Sequence, residues 1–208
     1  MKVKPVEAEN VKMDRLYLIF LLMSMIGGII GWLRLRVSQY GIDMIAMSLF
    51  VFLGLFMVSK LKSSLVFNDY SVERQVTIAV LMAIPGIVLG RVMLIILTAI
   101  YFSGSWVDTL IVSLMSLQIV VVEETFRAAI YLIVEYLTKD ANGKGNVGIA
   151  FLASLFMWIL LHFIQHSFDI TYFFWLFVVG FLFTLTMFTG GLGAAILCHY
   201  LVNILMSL

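Results

Sequence analysis

Long apolar runs alternate with short polar breaks along most of this chain. After a polar opening, MKVKPVEAENVKMDR, seven hydrophobic stretches run roughly over residues 15 to 35, 42 to 60, 76 to 102, 107 to 137, 147 to 167, 171 to 189 and 191 to 208. An α-helix needs about 20 apolar residues to cross the hydrocarbon core of a bilayer. The breaks carry Gly, Asn, Asp, Ser or charge, as in TKDANGKGN and TGGLG; these residues punctuate regular structure. The stretches are far too long for barrel strands, and helices are the remaining way to span a bilayer with every backbone group satisfied. The pattern predicts an all-α fold, a polytopic transmembrane helical bundle of about seven spans. The fourth span exceeds the bilayer's need, so it is expected to tilt or to emerge into water at its VEYLTKD end. Residues 1–14 read as a cytoplasmic N-terminal segment and residues 15–208 as a single transmembrane domain. No internal repeat or low-complexity tract interrupts it.

Composition points the same way. The chain has 208 residues, 63% hydrophobic and 12% charged, with mean hydropathy +1.11. A soluble domain is about half apolar and a quarter charged, so the surplus belongs against lipid. The net charge of +1 gives no sign of a nucleic-acid partner. A single cysteine, Cys198, rules out a disulfide framework. The first apolar run is too long for a signal peptide and lacks a small-residue cleavage site, so it reads as a span that stays.

Loop lysines and arginines set the expected orientation. Lys2, Lys4, Lys12, Arg15, Lys60, Lys62, Arg74, Lys139 and Lys144 fall on one side, against Arg34 and Arg36 on the other. This places the N-terminus in the cytoplasm and, with seven spans, the C-terminus outside. GGIIG at 27 to 31 and GIVLG at 86 to 90 have the small-xxx-small spacing of close helix packing. Pro85 is a candidate kink, and FDITYFFWLF reads as an interfacial aromatic belt.

The informative residues are the polar ones inside spans. Each costs roughly 2.5 to 3.5 kcal/mol on insertion scales and is a functional candidate by default. They are Arg91, Glu123, Glu124, Arg127, His162, His166 and His199, with Asn203 as a companion. Asp108, Glu135 and Asp169 sit near span ends, where solvation suffices. In VVVEETFRAAIYL, Glu123 is four residues before Arg127 and Glu124 three, so either carboxylate can meet the guanidinium on one face. A carboxylate held there is a candidate general base. The plainer reading is a buried Glu–Arg pair that locks helices together, but that pair has no use for a second glutamate.

In WILLHFIQH, His162 follows Trp158 by one turn, and His166 follows His162 by another. Histidines four apart share a face, as in zinc pairs, but the glutamate of the zinc-protease motif is missing here. His162 and His166 are therefore weak metal candidates. In CHYLVN, His199 and Asn203 also share a face. They form either a polar clamp between helices or a pair of donors for a developing oxyanion. At about 1.5 Å per residue, the glutamates, His162 and His199 all fall at middle depth. Three spans thus supply a base, an orienting group and oxyanion donors.

These three motifs, in this order, resemble the CPBP family of intramembrane proteases, which includes the type II CAAX prenyl endopeptidases. The resemblance covers roughly residues 107 to 208. The family's Glu-Glu-x-x-x-Arg corresponds to Glu123, Glu124 and Arg127, its aromatic-x-x-x-His to Trp158 and His162, and its His-x-x-x-Asn to His199 and Asn203. Trp158 stands where Phe is usual. The first motif is one residue short, a spacing similar to the Glu-Glu-x-x-Lys of PrsW-like membrane proteases.

The resemblance implies peptide-bond hydrolysis in or near the membrane. A glutamate would activate water, His162 would orient it, and His199 with Asn203 would stabilise the oxyanion. It implies a membrane protein or lipidated peptide as substrate, the lipid bilayer as surroundings, and a membrane protein complex as a further option. No cofactor is required on this reading, although a divalent metal such as zinc is not excluded. The short first motif leaves open which glutamate is the base. It also leaves a non-catalytic membrane subunit or scaffold on the same fold as the alternative. A proton-coupled carrier is a third class, but the paired broken helices of many transporters are missing.

Overall fold

The computed structural model describes residues 16–26 except Met25, 70–97, 106–165 except Asn142, and 170–207. All regular structure among these residues is α-helical. A helical stretch, α1, covers residues 16–24. It is followed by α2 (Val72–Leu97), α3 (Trp106–Leu137), α4 (Val147–Gln165), α5 (Ile170–Gly190) and α6 (Leu192–Ser207). The spans expected from residue 76 onward thus each coincide with a helix. The span expected over 42 to 60, most of the span over 15 to 35, and the GGIIG stretch lie outside the described residues.

Local chemistry accounts for the helix ends. Ser71 caps α2, its Oγ accepting the Arg74 N–H at 3.3 Å, with Glu73 in the first turn where the helix dipole favours an acid. Asn146 caps α4, its Oδ1 accepting the Ile149 N–H at 3.0 Å. One residue, Gly191, separates α5 from α6. Its φ of 88° lies in the left-handed region open to glycine at no steric cost. Its N–H closes α5 on the Met187 carbonyl and its own carbonyl opens α6 by accepting from Ala195. The helix α2 runs on through Pro85 without a break.

Two of these helices are long and apolar enough to cross a membrane by length and composition, over Val72–Arg91 and Tyr172–Gly190. Val147–Phe163 and Leu192–Met206 are apolar but shorter. The 32 residues of α3 extend about 48 Å, beyond the roughly 30 Å hydrocarbon core, and carry three charges within five positions. The expected count of seven spans is therefore narrowed, among the described residues, to two clear ones. Besides the charges of α3, two helices fall short in length, and most of the first two expected spans lies outside the described residues. Outer faces are greasy throughout, with Leu81, Ile84, Leu160 and Phe174 all more than half exposed. Surface of that kind suits lipid and is costly in water.

The helix α6 lies at the centre, packing on α2, α3 and α5, while α4 bridges α3 and α5. One apolar cluster joins α1 and α3 to Leu192, Ala195 and Ile196 of α6. The other joins α2, α4 and α5 to Ala194, Cys198 and Val202 of α6. His199 lies on α6 among residues of both clusters, and the polar residues gather there.

Candidate active site

Neighbouring residues on a helix diverge by about 100°, so Glu123 and Glu124 point to different places. Glu124 is fully buried. It accepts the His199 Nδ1–H at 2.8 Å and pairs with Arg127 one turn along its own helix. Arg127, also fully buried, donates a second bond to the Gly180 carbonyl at 3.1 Å. Its guanidinium lies 5.4 Å from the Trp158 ring and 5.7 Å from the Phe183 ring, within cation–π range. The three-residue spacing from glutamate to arginine is therefore enough for the pair, and it is Glu124 that takes it.

Glu123 faces the other way. Its Oε2 accepts the indole N–H of Trp158 at 2.9 Å. The same oxygen lies 3.7 Å from His162 Nε2 and 3.9 Å from His199 Nε2. Both gaps exceed a direct hydrogen bond and suit a bridging water. The Glu123 and His162 side chains are 22% and 18% exposed, in contrast to the sealed Glu124.

Hydrogen bonds set the tautomers. His162 Nδ1 lies 3.0 Å from the Trp158 carbonyl, which only accepts, so Nδ1 carries a hydrogen and Nε2 is left facing Glu123. His199 likewise commits Nδ1 to Glu124 and turns Nε2 to the Glu123 side. Packing holds both rings. His199 stacks on Phe183 with centroids 4.2 Å apart and planes 19° apart, with Trp158 edge-on at 5.9 Å. Trp158 also lies 4.3 Å from the His162 ring.

These groups surround a cavity of about 130 Å³ lined by Glu123, Trp158, His162, His199 and Asn203 together with Tyr172, Trp175, Leu176, Val179, Phe183 and Val202. Four of the sequence candidates, Glu123, His162, His199 and Asn203, thus line one space, with Glu124 and Arg127 buried behind it. Arg91 does not join them: it is exposed and donates to the Leu205 carbonyl at 2.8 Å. His166 lies outside the described residues. Among the described residues no three His, Cys, Asp or Glu side chains are arranged to hold a metal ion.

Sequence reasoning missed the contribution of α5, which carries no Asp, Glu, Lys, Arg or His. Tyr172 and Trp175, read as part of an aromatic belt, line the cavity. Phe183 stacks on a site histidine and Gly180 supplies a carbonyl to Arg127. No polar signal marked them. Trp158 was read only as the aromatic of a motif, whereas its indole N–H holds Glu123.

The family model described as type II CAAX prenyl endopeptidase, Rce1-like, matches residues 104–205, just under half of the chain. The match spans α3 to α6 almost completely and contains all three motifs. No curated protein and no solved structure matches the chain. The family is one of membrane-embedded proteases, and the apolar outer faces agree with an integral membrane protein. Through residues 104–205 the chain is similar to the Rce1-like, type II CAAX prenyl endopeptidases, a match consistent with assignment to the CPBP family.

Proposed function

We propose that this protein is a glutamate-dependent intramembrane endopeptidase in which Glu123 activates the water. One observation carries the reading: Glu123 Oε2, His162 Nε2 and His199 Nε2, from three helices, face each other across one cavity at 3.7 and 3.9 Å. A cavity with several polar partners and this volume has room for water.

In this mechanism a water sits between the Glu123 carboxylate and His162 Nε2. Glu123 takes its proton as the oxygen attacks the scissile carbonyl carbon. The resulting oxyanion accepts hydrogen bonds from Asn203 and from His199 Nε2. His199 can donate from Nε2 only as the imidazolium, because its other nitrogen is committed to Glu124. The Glu124 carboxylate and the stacked Phe183 face hold the imidazole in this orientation. Glu123 then returns its proton to the amide nitrogen, the C–N bond breaks, and a carboxylic acid and an amine leave. Glu124, Arg127 and Trp158 act as positioning residues. This route requires no metal, and its substrate is a membrane protein or lipidated peptide. The loop lysines and arginines support an N-terminus in the cytoplasm, and an odd number of spans would then put the C-terminus outside.

The test is cleavage of prenylated and unprenylated peptides by the purified protein in proteoliposomes. Activity is expected in the parent and lost in Glu123→Gln and His199→Ala. Full activity in both variants overturns the mechanism. A parent that cleaves nothing but retains a bound membrane partner supports the scaffold role instead.

A further inference from the structure

Two walls of the cavity are backed by a helix that lies outside the family-matched segment. A Cβ on Gly86 of α2 would lie 3.0 Å from Val202 Cγ2, and Val202 lines the cavity. A Cβ on Gly90 would lie 2.7 Å from Trp175 Cη2 and 2.3 Å from Met206 Sδ, and Trp175 also lines the cavity. A methionine tip can swing aside, whereas an indole has to turn as a rigid plate. Arg91, the next residue on α2, fastens this helix to the end of α6 through the Leu205 carbonyl at 2.8 Å. The GIVLG stretch therefore does more than bring helices close: it lies directly behind Trp175 and Val202, two walls of the cavity.

We propose that Trp175, gauged by Gly90 of α2, is the specificity-determining wall that restricts the residue beside the scissile bond to a small side chain. The cavity of about 130 Å³ is well below the roughly 300–1,000 Å³ of ordinary ligand pockets. It accommodates a peptide group and little more. Shape discrimination of this kind is worth about 10- to 200-fold per methylene-sized misfit. The substrate preference rests on the protease reading; the cavity gauge does not.

Two arms keep them apart. In the first, Asn203→Cys is made in a Cys198→Ala background and labelled with methanethiosulfonates of graded size, which needs no catalysis. The small reagent is expected to react and the bulky one to lag. Trp175→Ala should raise the bulky-to-small rate ratio about tenfold or more, and Gly90→Ala should lower it. An unchanged ratio, or no labelling by the small reagent, overturns the proposal. In the second arm, peptides differing only in an alanine or a phenylalanine beside the cleaved bond are compared. Trp175→Ala should shift kcat/KM toward phenylalanine by about tenfold or more, and an equal change for both peptides overturns the proposal. If the parent cleaves neither peptide, the protease reading fails while the labelling arm still decides the gauge. Trp175→Phe takes the place of Trp175→Ala if the alanine variant does not fold.

Discussion

Replacing each glutamate in turn by glutamine should separate the two by stability as well as activity. Glu124 is fully buried and answers two donors, Arg127 and His199. Glu124→Gln leaves the guanidinium of a fully buried arginine without its counterion, and its Nε already lacks a partner among the described residues. Breaking a buried ion pair from one side costs about 3–5 kcal/mol. In a chain of this length each kcal/mol lowers Tm by roughly 2–4 °C, so the expected drop is about 6–20 °C. Glu123→Gln differs: the side chain is partly exposed, and the amide oxygen can still accept the Trp158 N–H. Its cost is limited to the charge-assisted share of one hydrogen bond, about 1 kcal/mol. Its cleavage rate, however, should fall about 10²- to 10⁴-fold with loss of the base. Both variants and the parent are purified in one detergent, melted by tryptophan fluorescence and assayed on one peptide. A Glu124→Gln variant that melts within about 2 °C of the parent, or a Glu123→Gln variant that melts as low as Glu124→Gln, would refute the assignment of the two carboxylates.

Other consequences are equally open to measurement. Trp158→Phe keeps the ring that the family's second motif usually carries but removes the donor 2.9 Å from Glu123; kcat should drop about tenfold, the scale of one hydrogen bond to a charge, and the cavity left in place of the buried indole should lower Tm as well. Gly180→Ala would set a Cβ 2.7 Å from Leu155 Cδ1 and 2.8 Å from Trp158 Cζ3. Overpacking of that kind costs about 1–3 kcal/mol, and by turning the indole it should depress cleavage along with Tm; a silent variant would show that the site tolerates a displaced Trp158. Cleavage should persist after exhaustive chelation with EDTA and 1,10-phenanthroline, and a loss that zinc restores would replace the carboxylate mechanism with a metal one.

The sequence alone was enough for the helical class, for most helix positions from residue 72 onward, and for the charged, histidine and asparagine residues that meet at the site. Apolar runs of bilayer length are read one segment at a time, and Glu123, Glu124, Arg127, His162, His199 and Asn203 stand out because polar groups in such runs are costly. The number of spans was less legible, since α3 carries its charges in mid-helix and much of the first two expected spans lies outside the described residues. Tertiary structure decided where each glutamate lies. The spacing to Arg127 allows either carboxylate, and only the positions of α4 and α6 around α3 send Glu123 to the cavity and Glu124 into burial. It also decided the roles of Tyr172, Trp175, Gly86 and Gly90. Lipid is as apolar as leucine, so a residue that faces a neighbouring helix and one that faces the bilayer look alike along the chain. They become distinguishable only when the helices are placed side by side.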